Sequence, residues 1–376
     1  VAVREGRVAW VGRSGDPGEP DAPVHDLGPG VLLPGLVNAH CHLELSHLAA
    51  DLDGLEGYVP WVEGLVAARD ARPADAVQAA TAAAIRGLEG CGTAAVGDVS
   101  NALGHLTLLA ESSLEAVVFF ELLAWDPAAA PAALEAARRR VAAMGGSRPA
   151  PNVEVRVAAH APHSVSAALF ARLVKAGGPA ALHLAESPAE TRFLADGDAE
   201  WSAFLGRRGQ GHVAFTPPGT TPVRYADRLG VLHPFLVAAH CVQVDHEDIA
   251  LLARRQVGIV LCPRSNRRLG VGRAPVPALR AAGVRLALGT DSLASSPDLD
   301  VLNDAIALGR EFPQLEPSFL VHLATAGGAD VLGLPHLGTL APGQKAALAY
   351  APADRPPADP HEFLLSGEAA LRRVDP

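Results

Sequence analysis

The chain has 376 residues, 49% of them hydrophobic and 19% charged, with a formal net charge of -10. That balance excludes a nucleic-acid binder, which needs a basic face, and no apolar run reaches the roughly 18 residues of a membrane span. A cytoplasmic protein that handles a small molecule is expected. The cysteines Cys41, Cys91, Cys241 and Cys262 are scattered and form no CxxC pair, so neither a disulfide framework nor a thiolate metal site is expected. The first residue is Val1, inside a strand-rich pattern, which implies a start segment before it.

In chain order, Val1, Val3, Val8 and Val11 alternate with polar or small partners, which predicts short antiparallel strands over 1–12. Eight predicted strands follow, over 31–40, 93–99, 115–123, 153–160, 180–186, 235–241, 257–263 and 284–291. Alanine-rich helical periodicity separates most of them, as over 74–88, 129–144, 167–175 and 248–255. Strands alternating with helices imply parallel βαβ units. Eight such units suggest an α/β fold of the (β/α)8 TIM-barrel type, with an open doubly wound sheet as the alternative. Residues 337–350 read like the beginning, with Gly343 as a turn, and 352–360 is proline-rich loop. The expected organisation is a barrel over 33–334 and a small composite β domain from 1–32 plus 335–376.

In a barrel all the strand ends converge on one face, where active sites sit. The first strand ends in His40-Cys41-His42, and histidines at i and i+2 project to one side of a strand. His160 ends the fourth, His183 and Glu186 lie at the end of the fifth, His240 ends the sixth and Asp291 the eighth. Each residue alone has an ordinary reading: a loop histidine, a hydrogen-bonded structural histidine, a helix-capping aspartate. Jointly they point to one divalent cation on His40, His42, His183 and Asp291. An N3O set suits zinc, iron or manganese better than calcium or magnesium. Such an ion makes a hydroxide available from water near neutral pH. Glu186 is then expected to accept the water proton and pass it to a ring nitrogen of the substrate. His240 is either a further ligand or the hydrogen-bond partner of the attacking oxygen, and four assigned ligands favour the second role. With Asp291 these two form the expected catalytic set.

The same residues resemble the amidohydrolase superfamily in its deaminase and chlorohydrolase branch. The resemblance rests on Pro34-Gly35-Leu36-Val37-Asn38-Ala39-His40-Cys41-His42, His183-Leu184-Ala185-Glu186, Ala239-His240-Cys241 and Leu288-Gly289-Thr290-Asp291-Ser292. It extends to the Pro342-Gly343-Gln344-Lys345-Ala346 turn, where Ala347 replaces the acidic residue common in that branch. It implies a barrel with a β-sandwich built from both termini, one metal ion, catalytic Glu186 and His240, and a homodimer. The only lysines are Lys175 and Lys345. Neither sits at a barrel-strand end where it could be carboxylated to bridge two metals, which supports a mononuclear site.

A narrower resemblance, to the aminodeoxyfutalosine deaminases, rests on His42-Leu43-Glu44-Leu45-Ser46, Thr221-Pro222-Val223-Arg224-Tyr225 and Cys262-Pro263-Arg264-Ser265-Asn266. It implies deamination at C6 of an adenine nucleoside analogue bearing a benzoate, in an alternative route to menaquinone. Other aminated heterocycles (guanine, pterin, triazine) or a formimino substrate suit the same chemistry, and a catalytically silent barrel scaffold is the alternative of another class. A benzoate carboxylate favours an arginine partner, for which Arg264, Arg267 and Arg268 follow the seventh strand. The expected substrate contacts are His160, Glu44, Trp61, Arg264 and Asn266. For Glu44, Trp61 and Arg264 the ordinary readings are a cap, a core aromatic and a solvated loop. Glu56 reads as a surface charge and His163 as a structural neighbour of His160.

Overall fold

The computed structural model describes residues 1–49, 52, 54–55 and 57–374, the side chain of Asp70 excepted. The expected N-terminal alternation is a hairpin of β1 (Ala2–Arg4) and β2 (Arg7–Trp10). The strand expected over 31–40 is two strands, β3 (Gly30–Pro34) and β4 (Leu36–Cys41). They part at Pro34, which has no N–H to give a ladder, and at Gly35. There the amide of Gly35 donates to Ala347 O at 2.8 Å, and a Cβ would stand 2.6 Å from that of Ala94. β3 turns away to the terminal sheet, so the expected boundary after residue 32 falls inside it.

The remaining strands of the core follow the expected order, most of them with trimmed ends and β5 one residue longer. β4, β5 (Thr93–Ser100), β6 (Glu115–Leu122) and β7 (Val153–Ala159) form one parallel sheet. β8 (Ala181–Leu184), β9 (Val237–His240), β10 (Gly258–Leu261) and β11 (Arg285–Leu288) form a second. Backbone hydrogen bonds cross both seams between them. Ala180 N donates to Val157 O at 2.9 Å and His183 N to His160 O at 2.8 Å, while Thr290 N and Asp291 N both reach His40 O at 3.0 Å. The helices Ala74–Gly90, Ala130–Ala143, Ala167–Lys175 and His246–Arg254 stand where periodicity places them.

Period-two alternation sorts the apolar residues onto two faces. One face of the strands, with Val118, Phe120, Leu182, Ile259 and Leu286, shares a core with the helices. The other face forms a separate cluster that takes residues from all eight parallel strands: Val37, Ala95, Val117, Ala158, Ala181, Val237, Val260 and Ala287. Eight strands share one such cluster only when their faces look towards one another. Continuing the alternation by two or four residues sets Glu121, His160, His183 and Asp291 above this cluster.

Both ends of the chain meet beside the sheets. β12 (Leu348–Pro352) pairs antiparallel with β3 and with β13 (Arg372–Val374). Arg7 bridges to Lys345, and Ala346 N donates to Gly6 O at 2.8 Å. Residues 337–347, expected to be strand-like, are mostly turns: Pro342 removes a donor and Gly343 takes φ +91°.

Glu115, at the start of β6, ties this terminal region to the core by accepting from Lys345 Nζ at 2.6 Å and His336 Nε2 at 2.7 Å. Burial raises the pKa of Glu115, but the Lys345 and His336 contacts outweigh it and the net shift is downward. A depressed folded-state pKa gives stability that is present above the unfolded value, about 4.3, and lost as pH falls through the folded value. Glu115→Gln is therefore expected to lower the unfolding free energy at pH 7 by roughly 1 kcal/mol, with the gap to wild type closing below about pH 4. Denaturant titrations across that range check it, and a gap independent of pH removes the ion pair as the cause.

Candidate active site

The polar residues gather where the strands stop. β8 ends at Leu184 and Ala185 takes φ +52°; His240, the last residue of β9, and Cys241 after it take +73° and +47°; beyond β11, Asp291 takes +60°. Left-handed backbone costs a non-glycine residue about 1–2 kcal/mol, and its repetition at three strand ends marks a built site. The kink at Ala185 takes Glu186 off the strand, so it need not face away from His183 as an unbroken strand would require. Ala185 O accepts from Val242 N and Gln243 N at 2.9 and 2.7 Å, which locks the two kinks together. Gly289 lets β11 lie against β4, because a Cβ there would meet His40 O at 2.7 Å.

The four expected ligands converge. His42 Nε2 lies 3.2 Å from His183 Nε2 and 3.4 Å from Asp291 Oδ1, and His40 Nε2 is 3.8 Å from the same oxygen. Tetrahedral zinc with bonds of about 2.05 Å has ligand–ligand edges of about 3.3 Å, so these spacings fit an ion. His40 Nε2 is buried with no hydrogen-bond partner, which is costly unless something else occupies it. Ligand atoms of His40, His183 and His240 also lie within 4.8 Å of one another.

Two of these side chains, His183 and Asp291, are held from behind. His183 Nδ1 is 3.1 Å from His160 O and 3.3 Å from Glu121 Oε1. Asp291 Oδ2 accepts from Ser265 Oγ at 2.6 Å and Ser295 Oγ at 2.8 Å. Such partners fix the orientation of metal-binding side chains and raise their basicity. Burial disfavours charge on His183, but Glu121 outweighs it and lifts the pKa to about 9. For Asp291 burial pushes upward, while His42, His240 and the two serines bring the carboxylate below its usual range. Burial, then the crowd of neighbouring imidazoles, drives the pKa of His40 far down, and a neutral imidazole is the form that ligates metal.

Glu186 and His240 flank this group. Glu186 Oε1 is 3.7 Å from His240 Nε2, which is buried without a hydrogen-bond partner, and Asn266 Oδ1 holds His240 Nδ1 at 2.9 Å. Asn266, expected to touch substrate, is thus buried against His240. Arg264 is also placed differently from the expectation: its guanidinium is held by Asp298 and Asp304 at 2.9 and 2.8 Å. Arg267 pairs with Glu311 at 2.7 Å. Glu44 accepts from the amides of Asn101 and Ala102 at 2.6 and 3.0 Å and staples the chain after β4 to the loop after β5. None of these four side chains lines the cavity, whereas His160 and Trp61 do. His163 packs edge-on against Trp201 at 4.4 Å and His160 at 5.9 Å. Glu56 lies outside the described residues. Glu121 and Tyr58 were not anticipated. The signal for Glu121 was an acid inside the apolar run Phe119-Phe120-Glu121-Leu122; Tyr58 carried none.

The site opens into a cavity of about 790 Å³. His42, His183, Glu186, His240 and Asp291 line its inner end; Leu65 and Val66 of the helix Tyr58–Asp70, Ala132 and Ala136 of Ala130–Ala143, and Phe204 of Ala199–Arg207 form an apolar wall. Among the described residues, the arginines that line it are Arg69 and Arg208. A mostly apolar pocket of this size with a few convergent polar groups suits a small organic ligand.

Comparison with known proteins bears on this geometry. The model of the amidohydrolase family matches residues 31–360. The chain is 34% identical to the aminodeoxyfutalosine deaminase of Deinococcus radiodurans, over 81% of this chain and 73% of that protein. It is 31% identical to a 5-methylthioadenosine/S-adenosylhomocysteine deaminase of Syntrophobacter fumaroxidans, over 93% and 78%. It is similar to the zinc-bound crystal structure of an adenosine deaminase from Xanthomonas campestris, with a TM-score of 0.72, 26% identity and coverage of 91% and 77%.

The donor set leads to a measurable outcome. Purified protein is expected to carry about one equivalent of a divalent ion, and His183→Ala to lose most of it on dialysis. Glu121→Gln should keep the ion but weaken it roughly 10- to 100-fold in a chelator titration. Undiminished metal in His183→Ala removes that residue from the ligand set.

Proposed function

The chain belongs to the amidohydrolase family, hydrolases of carbon–nitrogen bonds, and we propose that it deaminates an aminopurine nucleoside, 6-amino-6-deoxyfutalosine, on the route to menaquinone. The observation that carries this reading is the cavity, which pairs a polar inner end with an apolar outer wall and has two arginines in its lining. The aminopurine end belongs with Glu186 and His240. The benzoate ring suits the apolar wall, and its carboxylate suits Arg69 and Arg208. The similarity to the Deinococcus radiodurans enzyme supports the same substrate. The proposed frame is a closed (β/α)8 barrel with a composite β unit from both termini.

His40, His42, His183 and Asp291 would hold the ion, proposed to be zinc. When bound, it supplies the positive charge that lets water lose a proton near neutral pH. Glu186 takes that proton and delivers it to the ring nitrogen beside C6. His240, oriented by Asn266, directs its Nε2 to the attacking oxygen and stabilises the charge that develops there. As the attacking oxygen bonds to C6, its remaining proton passes to the amino group, the carbon–nitrogen bond breaks, ammonia leaves, and the ring keeps a carbonyl oxygen.

Ammonia release from 6-amino-6-deoxyfutalosine and from 5-methylthioadenosine should differ in kcat/KM by at least 10-fold in favour of the first. The reverse order overturns the substrate and leaves the deaminase chemistry standing. Glu186→Gln is expected to retain the metal while turnover drops by roughly 10²–10⁴, and wild-type turnover in that variant takes Glu186 out of the mechanism.

A further inference from the structure

The two carboxylate oxygens of Glu186 have different surroundings. Oε2 accepts from the Tyr58 hydroxyl at 2.7 Å, whereas Oε1 faces His240 Nε2 at 3.7 Å. The backbone is fixed too: Glu186 N donates at 2.8 Å to Oε2 of Glu190, a carboxylate only 1% exposed. Tyr58 begins the helix Tyr58–Asp70, which lines the cavity with Trp61, Val62 and Leu65, and its ring lies over Trp201 at 6.3 Å between centroids. Burial, and then the Glu186 carboxylate, holds the phenol pKa well above its usual value, so the hydroxyl remains a donor throughout the working pH range.

A glutamate carboxylate turns freely about its last torsion, which has no sharp minima. Left alone, it would exchange its two oxygens and point its lone pairs over a range of directions. Proton transfer depends on reach and alignment. We propose that Tyr58 is a positioning residue for Glu186: its hydroxyl pins Oε2, so that Oε1 alone faces the reacting atoms and carries the proton. As the water O–H bond breaks, an O–H bond forms at Oε1. That bond breaks in turn as the ring nitrogen takes the proton. Tyr58 keeps its own proton at every stage. The same helix also lines the substrate cavity, so it aims the proton carrier as well as shaping the pocket.

This inference rests on the assignment of Glu186 as proton carrier. Tyr58→Phe keeps the ring and deletes the donor. With 6-amino-6-deoxyfutalosine or 5-methylthioadenosine, whichever the protein turns over, kcat should fall on the order of 10- to 100-fold. KM, metal content and melting temperature should stay near wild type. In the double variant with Glu186→Gln, loss of Tyr58 should add almost nothing, because it acts through Glu186. Crystals of Tyr58→Phe should show the Glu186 carboxylate in more than one orientation. Wild-type kcat in Tyr58→Phe, fully additive losses in the double variant, or a single unchanged carboxylate orientation overturns the positioning role. A large drop in melting temperature or metal content overturns it as well, in favour of a structural role. Full activity in Glu186→Gln would instead overturn the premise, so the two failures are distinguishable.

Discussion

Everything at the strand ends depends on one electrostatic constraint: five polar side chains are packed together out of water. His40, His183, His240, Glu186 and Asp291 are all at least nine-tenths buried. Among the described residues no lysine or arginine forms a salt bridge to Glu186 or Asp291. Burying such groups costs several kcal/mol each without compensation. A structural cluster would close its hydrogen bonds, yet His40 and His240 each leave a ring nitrogen unmatched. Ligand atoms of both lie within 4.8 Å of one of His183. A divalent cation would resolve the whole arrangement at once, by turning repulsion among imidazoles and desolvation of Asp291 into coordination.

That constraint explains the irregular backbone around it. Parallel strands alone would aim alternate residues into the site, as they do for Glu121 and His183. His240 does not follow that alternation. Ala238, two residues earlier, belongs to the helix-facing core, and the left-handed turn at His240 accompanies the change of face. Ala185 does the same service for Glu186. The unfavourable local conformations are held by bonds from neighbouring strands. Gly289 removes the one side chain that would keep the eighth strand away from the first.

The convergence of these side chains was legible because their residue types are rare in strands and their order followed the strand order. Histidine at the ends of successive apolar runs has few structural explanations, so the convergence of His40, His42 and His183 with Asp291 could be anticipated. Strand limits were less legible. The break at Gly35 depends on where β3 finds its partner, more than 300 residues later, and no local pattern records that. Glu121 was missed because a carboxylate inside a strand looks like a solvent-facing residue until the opposite face is known to be enclosed. Arg264 was misread for the converse reason. A basic loop residue looks available to a ligand, but Asp298 and Asp304 lie within reach only after folding.

The three short motifs that carry the narrower resemblance share a property visible only in three dimensions. Glu44 braces the loop after β5, Thr221 caps its helix and bonds Asp248, Ser265 bonds Asp291, and Asn266 holds His240. These side chains hold the reacting groups or the frame around them. None of them lines the cavity, whose outer part is walled by the helices Tyr58–Asp70, Ala130–Ala143 and Ala199–Arg207. There the alanines matter for the room they leave. A larger side chain at Ala132 or Ala136 would fill part of the outer cavity, so small residues on that helix help to leave it open.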